Sequence, residues 1–146
     1  MAKIAVIYYS KSGNTEKMAH LVAEGCRQVA GAEVMLMKLP ELDMEAVLGA
    51  DGYCLGSPDY FSYMAGHLKT FFDDALAYKG KLSGRPYVAF GTHGGGGKAL
   101  DSMERLSQAM GLTQVRPGMM CAGAPGAGDT EAVRGLGHAL AEVVCR

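Results

Sequence analysis

Five times along the chain, a short run of apolar, β-branched or aromatic residues is followed by a stretch with helical apolar spacing. The period is about one strand and one helix per 25–30 residues. "IAVIYY" (4–9) is a continuous apolar run of the kind a strand buried on both faces requires. Met18, Leu21, Val22, Cys26 and Val29 follow at helical spacing. "VMLMKL" (34–39) reads as the second strand and Leu42–Leu48 as a short second helix. "GYCLG" (52–56) is the third strand, and Leu68, Phe71, Phe72, Ala75 and Leu76 line the helix after it. "YVAFG" (87–91) is the fourth, with Leu100, Met103, Leu106 and Met110 behind it. A fifth strand is expected over Val115–Cys121, at a sheet edge because Pro117 removes a ladder donor. Val133, Leu136, Leu140 and Val144 make the closing helix. Right-handed crossovers then leave one economical arrangement: an α/β, doubly wound, five-stranded parallel sheet of order 2-1-3-4-5 with helices on both faces.

At 146 residues the chain suits a single domain, 1–146, and a chain of that size buries roughly 68–70% of its unfolded surface. A hydrophobic share of 49% with 20% charged residues is that of a globular protein. The longest apolar run, Ile4–Tyr9, is too short to span a bilayer, and the N-terminus lacks a signal-peptide layout. A cytoplasmic protein with no membrane role is expected. A net charge of −1 argues against a nucleic-acid partner and equally against a strongly acidic docking face. Cys26, Cys54, Cys121 and Cys145 form no C-x-x-C, so neither a zinc ribbon nor a dithiol couple is expected, and no metal site. They read as reduced thiols, with Cys145 the one placed where exposure is natural.

In that strand order the loops leaving strands one, three and four stand side by side, and these three carry the chemistry. "SKSGNTEKM" (10–18) runs straight from strand to helix with three hydroxyls, Ser10, Ser12 and Thr15, and a turn glycine, Gly13. Unpaired N–H donors at Gly13, Asn14 and Thr15, at the positive end of a helix, make an anion site; the bland alternative is capping by Ser12 or Asn14. No carboxylate stands directly at the end of strand one, which disfavours an aspartyl-phosphate receiver. In "GSPDYFSYMAGHLKTFFDD" (56–74), Ser57-Pro58 is read as a strand end, and Tyr60, Phe61 and Tyr63 then gather where a solvated loop is normally polar. They suit a flat ligand, or packing on the sheet or a subunit contact. In "FGTHGGGGKAL" (90–100) four glycines stand in a row, each giving up roughly 0.5–1 kcal/mol relative to alanine on ordering. The row lacks the nucleoside-triphosphate pattern, and a dinucleotide fingerprint belongs after strand one. What remains is close backbone approach to something flat, or a floppy loop.

Together "YYSKSGNTEKMA", "GSPDYFSYMAGHLKTFFD" and "FGTHGGGGKALDSME", in this order and spacing, resemble the three FMN-binding loops of the flavodoxin superfamily over essentially the whole chain. The resemblance implies a flavodoxin-like fold with FMN as cofactor. Ser10, Lys11, Ser12, Gly13, Asn14 and Thr15 would hold the phosphate. Ser57, Pro58, Asp59, Tyr60 and Phe61, with Thr92, His93, Gly94, Gly95, Gly96 and Gly97, would hold the rest. The second loop is closer to NAD(P)H:quinone-reductase-like flavodoxins and FMN reductases, through Phe61, Met64, Gly66, Lys69, Phe71 and Asp73, with Ser62 and Tyr63 in place of a usual Gly-Asn. The third looks more like small electron-carrying flavodoxins, with His93 at an aromatic position and Gly95 where a tryptophan often stacks. The chain contains no Trp.

Carrier flavodoxins are, as a family, strongly acidic and shield both ring faces; this chain is near neutral with a bare glycine on one side. Hydride transfer needs a donor stacked within about 3–3.5 Å, which a shielded ring forbids. The sequence therefore leans to an NAD(P)H-dependent reductase of small acceptors such as quinones or flavins. An electron carrier between redox proteins and a non-redox phosphate-ester binder are the alternatives. No catalytic side chain stands out, since the chemistry of such a site is mostly the cofactor's.

Overall fold

In the computed structural model, which describes residues 1–146, the elements follow in the order β1 Ala2–Tyr8, α1 Asn14–Arg27, β2 Ala32–Lys38, α2 Met44–Leu48, β3 Gly52–Tyr60, β4 Tyr63–Met64 and α3 Gly66–Ala75. After a 3-10 turn at Leu76–Tyr78 come α4 Lys79–Leu82, β5 Pro86–His93, α5 Ala99–Ala109, β6 Thr113–Gln114, β7 Met119–Ala122 and α6 Thr130–Val144. The main sheet is parallel in the order β2-β1-β3-β5, and β6 and β7 share the last place, both against β5. That is the doubly wound order expected, with one strand in two pieces. No helix is long and apolar enough to cross a membrane.

Alternation along each strand sends neighbours to opposite faces. Ala5, Ile7, Tyr53, Leu55, Tyr87 and Ala89 pack with Leu68, Phe71, Phe72 and Met103 of α3 and α5. Ile4, Val6, Cys54, Val88 and Phe90 pack with Met18, Val22, Val133, Leu136 and Leu140 of α1 and α6. Both faces of the central strands are therefore dry, and each large apolar side chain so buried contributes about 1.5–3 kcal/mol. Helices α1 and α6 lie against each other through glycine. A Cβ at Gly25 would overlap the Arg134 carbonyl, and one at Gly137 the Val22 carbonyl. That contact fixes the axis of α1, and with it the loop that α1 begins from.

The single fifth strand expected over Val115–Cys121 is instead two short strands. Thr113–Gln114 pairs with Pro86–Tyr87 and Met119–Ala122 with Phe90–His93, with the segment around Pro117 out of the ladder between them. Proline's missing N–H explains the break. The third strand does not end at Ser57-Pro58. It runs on to Tyr60, with Ser57 opposite Gly91 and Pro58 opposite Thr92, and then turns back through β4. The helices are trimmed by a residue or two, leaving Val29, Leu42, Leu76 and Met110 outside them.

Candidate functional site

Helix α1 begins without a side-chain cap. Gly13 at its N-cap has φ 100°, a left-handed conformation in which a Cβ would be strained. Ser10, buried, organises the loop through its Oγ, which accepts from the N–H groups of Gly13 and Glu16, each at 3.2 Å. Gly13 is thus not among the free donors, contrary to the sequence expectation, and neither Ser12 nor Asn14 caps the helix. The N–H groups of Lys11, Ser12, Asn14 and Thr15 find no acceptor within the chain. Four backbone donors around a left-handed glycine at the positive end of a helix form an anion nest.

The nearest carboxylate, Glu16 in the first turn of α1, is neutralised locally. Lys38 Nζ lies 2.8 Å from it, and the Tyr8 hydroxyl donates to it at 3.2 Å. The Lys38 bond chiefly holds the Glu16 carboxyl below its usual range. Burial, and secondarily the Glu16 charge, push the Tyr8 phenol up to about 12. Lys11 is exposed and makes no ion pair within the chain.

The second loop is a tight hairpin. Asp59 pairs with Met64 and Tyr60 with Tyr63, leaving Phe61 (φ 56°) and Ser62 (φ 63°) as a two-residue turn with both residues left-handed. Such turns ordinarily carry Asn-Gly; here they carry a phenylalanine whose side chain is fully exposed, at 102%. Ser57 Oγ faces inward, accepting from Ala65 N at 2.8 Å and donating to the Pro58 carbonyl at 2.7 Å. Asp59 is a tie between loops. Its Oδ1 accepts from Ser62 N at 3.0 Å, and its Oδ2 from Ala99 N at 2.8 Å, at the start of α5.

In the third loop, none of Gly94 to Gly97 has a left-handed φ, and a Cβ at Gly94, Gly95 or Gly96 would meet nothing within 4 Å. Neither the backbone nor packing inside the chain therefore requires glycine there. The N–H groups of all four donate to nothing in the chain. The row therefore presents a run of open, unpaired backbone amides at the surface of the loop.

The three loops are brought together by named contacts. Thr15 Oγ1 and Thr92 Oγ1, both buried, sit 2.7 Å apart and join the first loop to the third. Only one proton can lie between them, so the pair has a second O–H to offer. Strand pairing sets Ser57 and Pro58 beside Gly91 and Thr92. His93 Nδ1 is buried without a partner. An anion nest, a spare buried hydroxyl, an orphan imidazole nitrogen, a row of open amides and the aromatic hairpin of Tyr60 and Phe61 together suit a phosphate ester carrying a flat polar ring. FMN has that chemistry, and the residues fit it. Sequence reasoning had no signal for Tyr9, whose ring lies edge-on to Tyr60 at 6.5 Å and against His67 at 4.5 Å. Nor did it have one for Ser102, whose Oγ accepts from Met64 N at 3.0 Å and supports the hairpin from α5.

The chain matches the Flavodoxin family in sequence over residues 6–135. It is 39% identical over 162 aligned positions to a flavodoxin of Aquifex aeolicus (strain VF5), covering 99% of this chain and 88% of that protein. Its fold superposes on a flavodoxin from the domain Archaea with a TM-score of 0.92 at 26% identity, each chain covered to 99%. At 21% identity, likeness of fold alone extends to rubredoxin:oxygen oxidoreductase of Desulfovibrio gigas, with a TM-score of 0.90 over 98% of this chain and 36% of that one.

Proposed function

The chain belongs to the flavodoxin family, and from that premise we propose that it is an FMN-binding electron carrier passing electrons between redox partners. FMN is the cofactor of the family, and when bound it supplies a ring that accepts and releases electrons. The observation that carries the reading is the pairing of two sets of unused backbone donors. One set is Lys11, Ser12, Asn14 and Thr15 around a left-handed glycine, and the other is Gly94 to Gly97, in adjoining loops.

In this reading the amides of Lys11, Ser12, Asn14 and Thr15, with the Ser12 hydroxyl and the Thr15–Thr92 pair, hold the phosphate. Ser10 and Gly13 shape the loop around it. Tyr60 and Phe61 flank the ring, and the amides of Gly94, Gly95, Gly96 and Gly97 meet its polar edge, with His93 Nδ1 beside them. Ser57, Pro58 and Asp59 fix the geometry from behind, since their polar atoms are engaged within the protein.

The sequence leaned the other way, toward an NAD(P)H-dependent reductase of quinones or flavins. The open space above Gly94, Gly95 and Gly96 supports that second reading, because a nicotinamide or acceptor ring needs an uncovered face. The kinship with flavodoxins supports the carrier. Anaerobic titration of the FMN-loaded protein with NADPH and then NADH separates the two. A carrier keeps its visible flavin absorbance with both nucleotides and loses it to dithionite. Rapid bleaching by either nucleotide overturns the carrier in favour of the reductase. A protein that stays colourless with excess FMN removes both and leaves the phosphate-ester binder.

A further inference from the structure

Tyr9 is the first residue past β1, and its ring lies between two others at the edge of the crevice. Its backbone is fixed, since its N–H donates to the Gly56 carbonyl of β3 at 3.2 Å. Its side chain is half-buried against the α3 side of the core. On one side the ring stacks on His67, with centroids 4.5 Å apart and planes inclined by 35°. On the other it meets Tyr60 edge to face, at 6.5 Å and 73°, within the range at which aromatic pairs attract. His67 is itself held by its helix, because Leu68 and Phe71 anchor the first turns of α3 in the core. The line from α3 through Tyr9 to Tyr60 thus runs from rigid elements to a hairpin.

That hairpin needs such support. The bonds from Asp59 to Ala99 N and from Met64 N to Ser102 fix its base, but they leave the Tyr60 side chain untouched. The Tyr60 hydroxyl makes no hydrogen bond in the chain, and Tyr9 is the one ring that its own ring meets. Burial, and after it the Tyr9 phenol, raises the Tyr60 phenol pKa, so the contact also keeps Tyr60 neutral. Phe61, the other aromatic of the hairpin, is fully exposed, so no part of the chain holds its ring. The two side chains therefore differ before any ligand arrives: one is ordered and the other is not. The difference matters for binding, because freezing one free side chain on association weakens a complex by about three- to tenfold.

From this we infer that Tyr9, backed by His67, is a positioning residue: it holds the Tyr60 ring in place in the FMN-free protein, so that Tyr60 is the preformed wall of the ring site and Phe61 the wall that orders on binding. The placement of Tyr60 stands on the ring geometry alone, and its consequence for FMN rests on the flavin reading. Tyr9 acts only through Tyr60, so its contribution to FMN affinity disappears once Tyr60 is gone.

The test is a double-mutant cycle of Tyr9→Leu and Tyr60→Leu, read by the FMN dissociation constant and by the residual fluorescence of the bound flavin. Tyr9→Leu should weaken FMN by about three- to tenfold and partly restore the fluorescence that Tyr60 quenches. Tyr9→Phe, which keeps the ring, should match wild type within about twofold. In the Tyr60→Leu background, Tyr9→Leu should change the dissociation constant by no more than about twofold and leave the fluorescence as it is. A merely structural Tyr9 would weaken FMN by the same factor in both backgrounds; that result overturns the inference, as does a Tyr9→Leu protein that binds like wild type. If circular dichroism shows that Tyr9→Leu has not folded, His67→Ala, at an exposed position, removes the backing and takes its place in the cycle, with the same two results deciding. The FMN-free protein is read separately by NMR. The Tyr60 ring protons should be shifted from those of a free tyrosine side chain and should lose that shift in Tyr9→Leu, and Tyr60 protons that stay unchanged overturn the inference whatever FMN does. A wild type that takes up no FMN while Tyr60 loses its shift brings down only the flavin reading, and FMN uptake with equal losses in both backgrounds brings down only the positioning.

Discussion

Asp59 decides how the crevice is held together, and Asp59→Ala tests it. The carboxylate makes two bonds that converge from different loops, to Ser62 N at 3.0 Å within the hairpin turn and to Ala99 N at 2.8 Å at the first residue of α5. A hydrogen bond to a charged group is worth about 1.5–3 kcal/mol, and a negative charge at a helix N-terminus adds about 0.3–1 kcal/mol. Asp59 is only partly buried, so both bonds belong near the low end of their range. Truncation to alanine should then cost about 2–4 kcal/mol. For a chain of this length that is a fall in Tm of roughly 5–12 °C. Asp59→Asn keeps one acceptor and loses the charge, so it should lie between the two. The assay is thermal and urea unfolding of the FMN-free protein by circular dichroism, with FMN affinity measured separately by fluorescence. Unfolding within about 0.5 kcal/mol of wild type together with a collapse in FMN affinity would refute the reasoning. In that case Asp59 meets the cofactor directly.

Ser62→Gly relieves a non-glycine residue held at φ 63°, a strain of about 1–2 kcal/mol, partly offset by roughly 0.5–1 kcal/mol of glycine's extra chain entropy. A rise in Tm of about 1–3 °C is expected, and a fall would mean that the serine side chain contributes more than its backbone costs. Riboflavin, which lacks the phosphate, should bind about a hundredfold or more below FMN if the four free amides of the first loop meet an anion; equal affinity reduces that loop to a plain helix start. Gly95→Trp should tighten FMN by about 0.5–1.5 kcal/mol by covering the open row, and an unchanged dissociation constant would place Gly95 away from the ring. The folded protein holds the Tyr8 proton more tightly than an unfolded chain, with the phenol raised from 10.0 to about 12. Its contribution to stability is therefore complete below pH 10 and lost as pH rises through about 12. Across that window the wild type should lose about 2–3 kcal/mol more than Tyr8→Phe in urea unfolding, and superimposable profiles would show that burial does not oppose the phenolate.

What the sequence determined by itself is what short-range pattern encodes. The apolar run at 4–9, the turn chemistry of 10–15 and the helical spacing from Met18 each fit within a few residues, so the βα order and the place of the three loops were legible without coordinates. Tertiary structure decided whatever depends on register between distant strands. The Thr15–Thr92 pair joins residues 77 apart, and Asp59 reaches Ala99 across 40. Both follow from the lateral placement of β3 and β5, which no local spacing specifies. The same holds for the broken last strand, since Pro117 marked a weak point but only pairing with β5 showed that both halves attach. It holds as well for Tyr9 and His67, ordinary residues until the sheet sets their rings together. The glycine row divides between the two. Its sequence posed the question, and only the open space around its backbone shows that the chain itself does not require it.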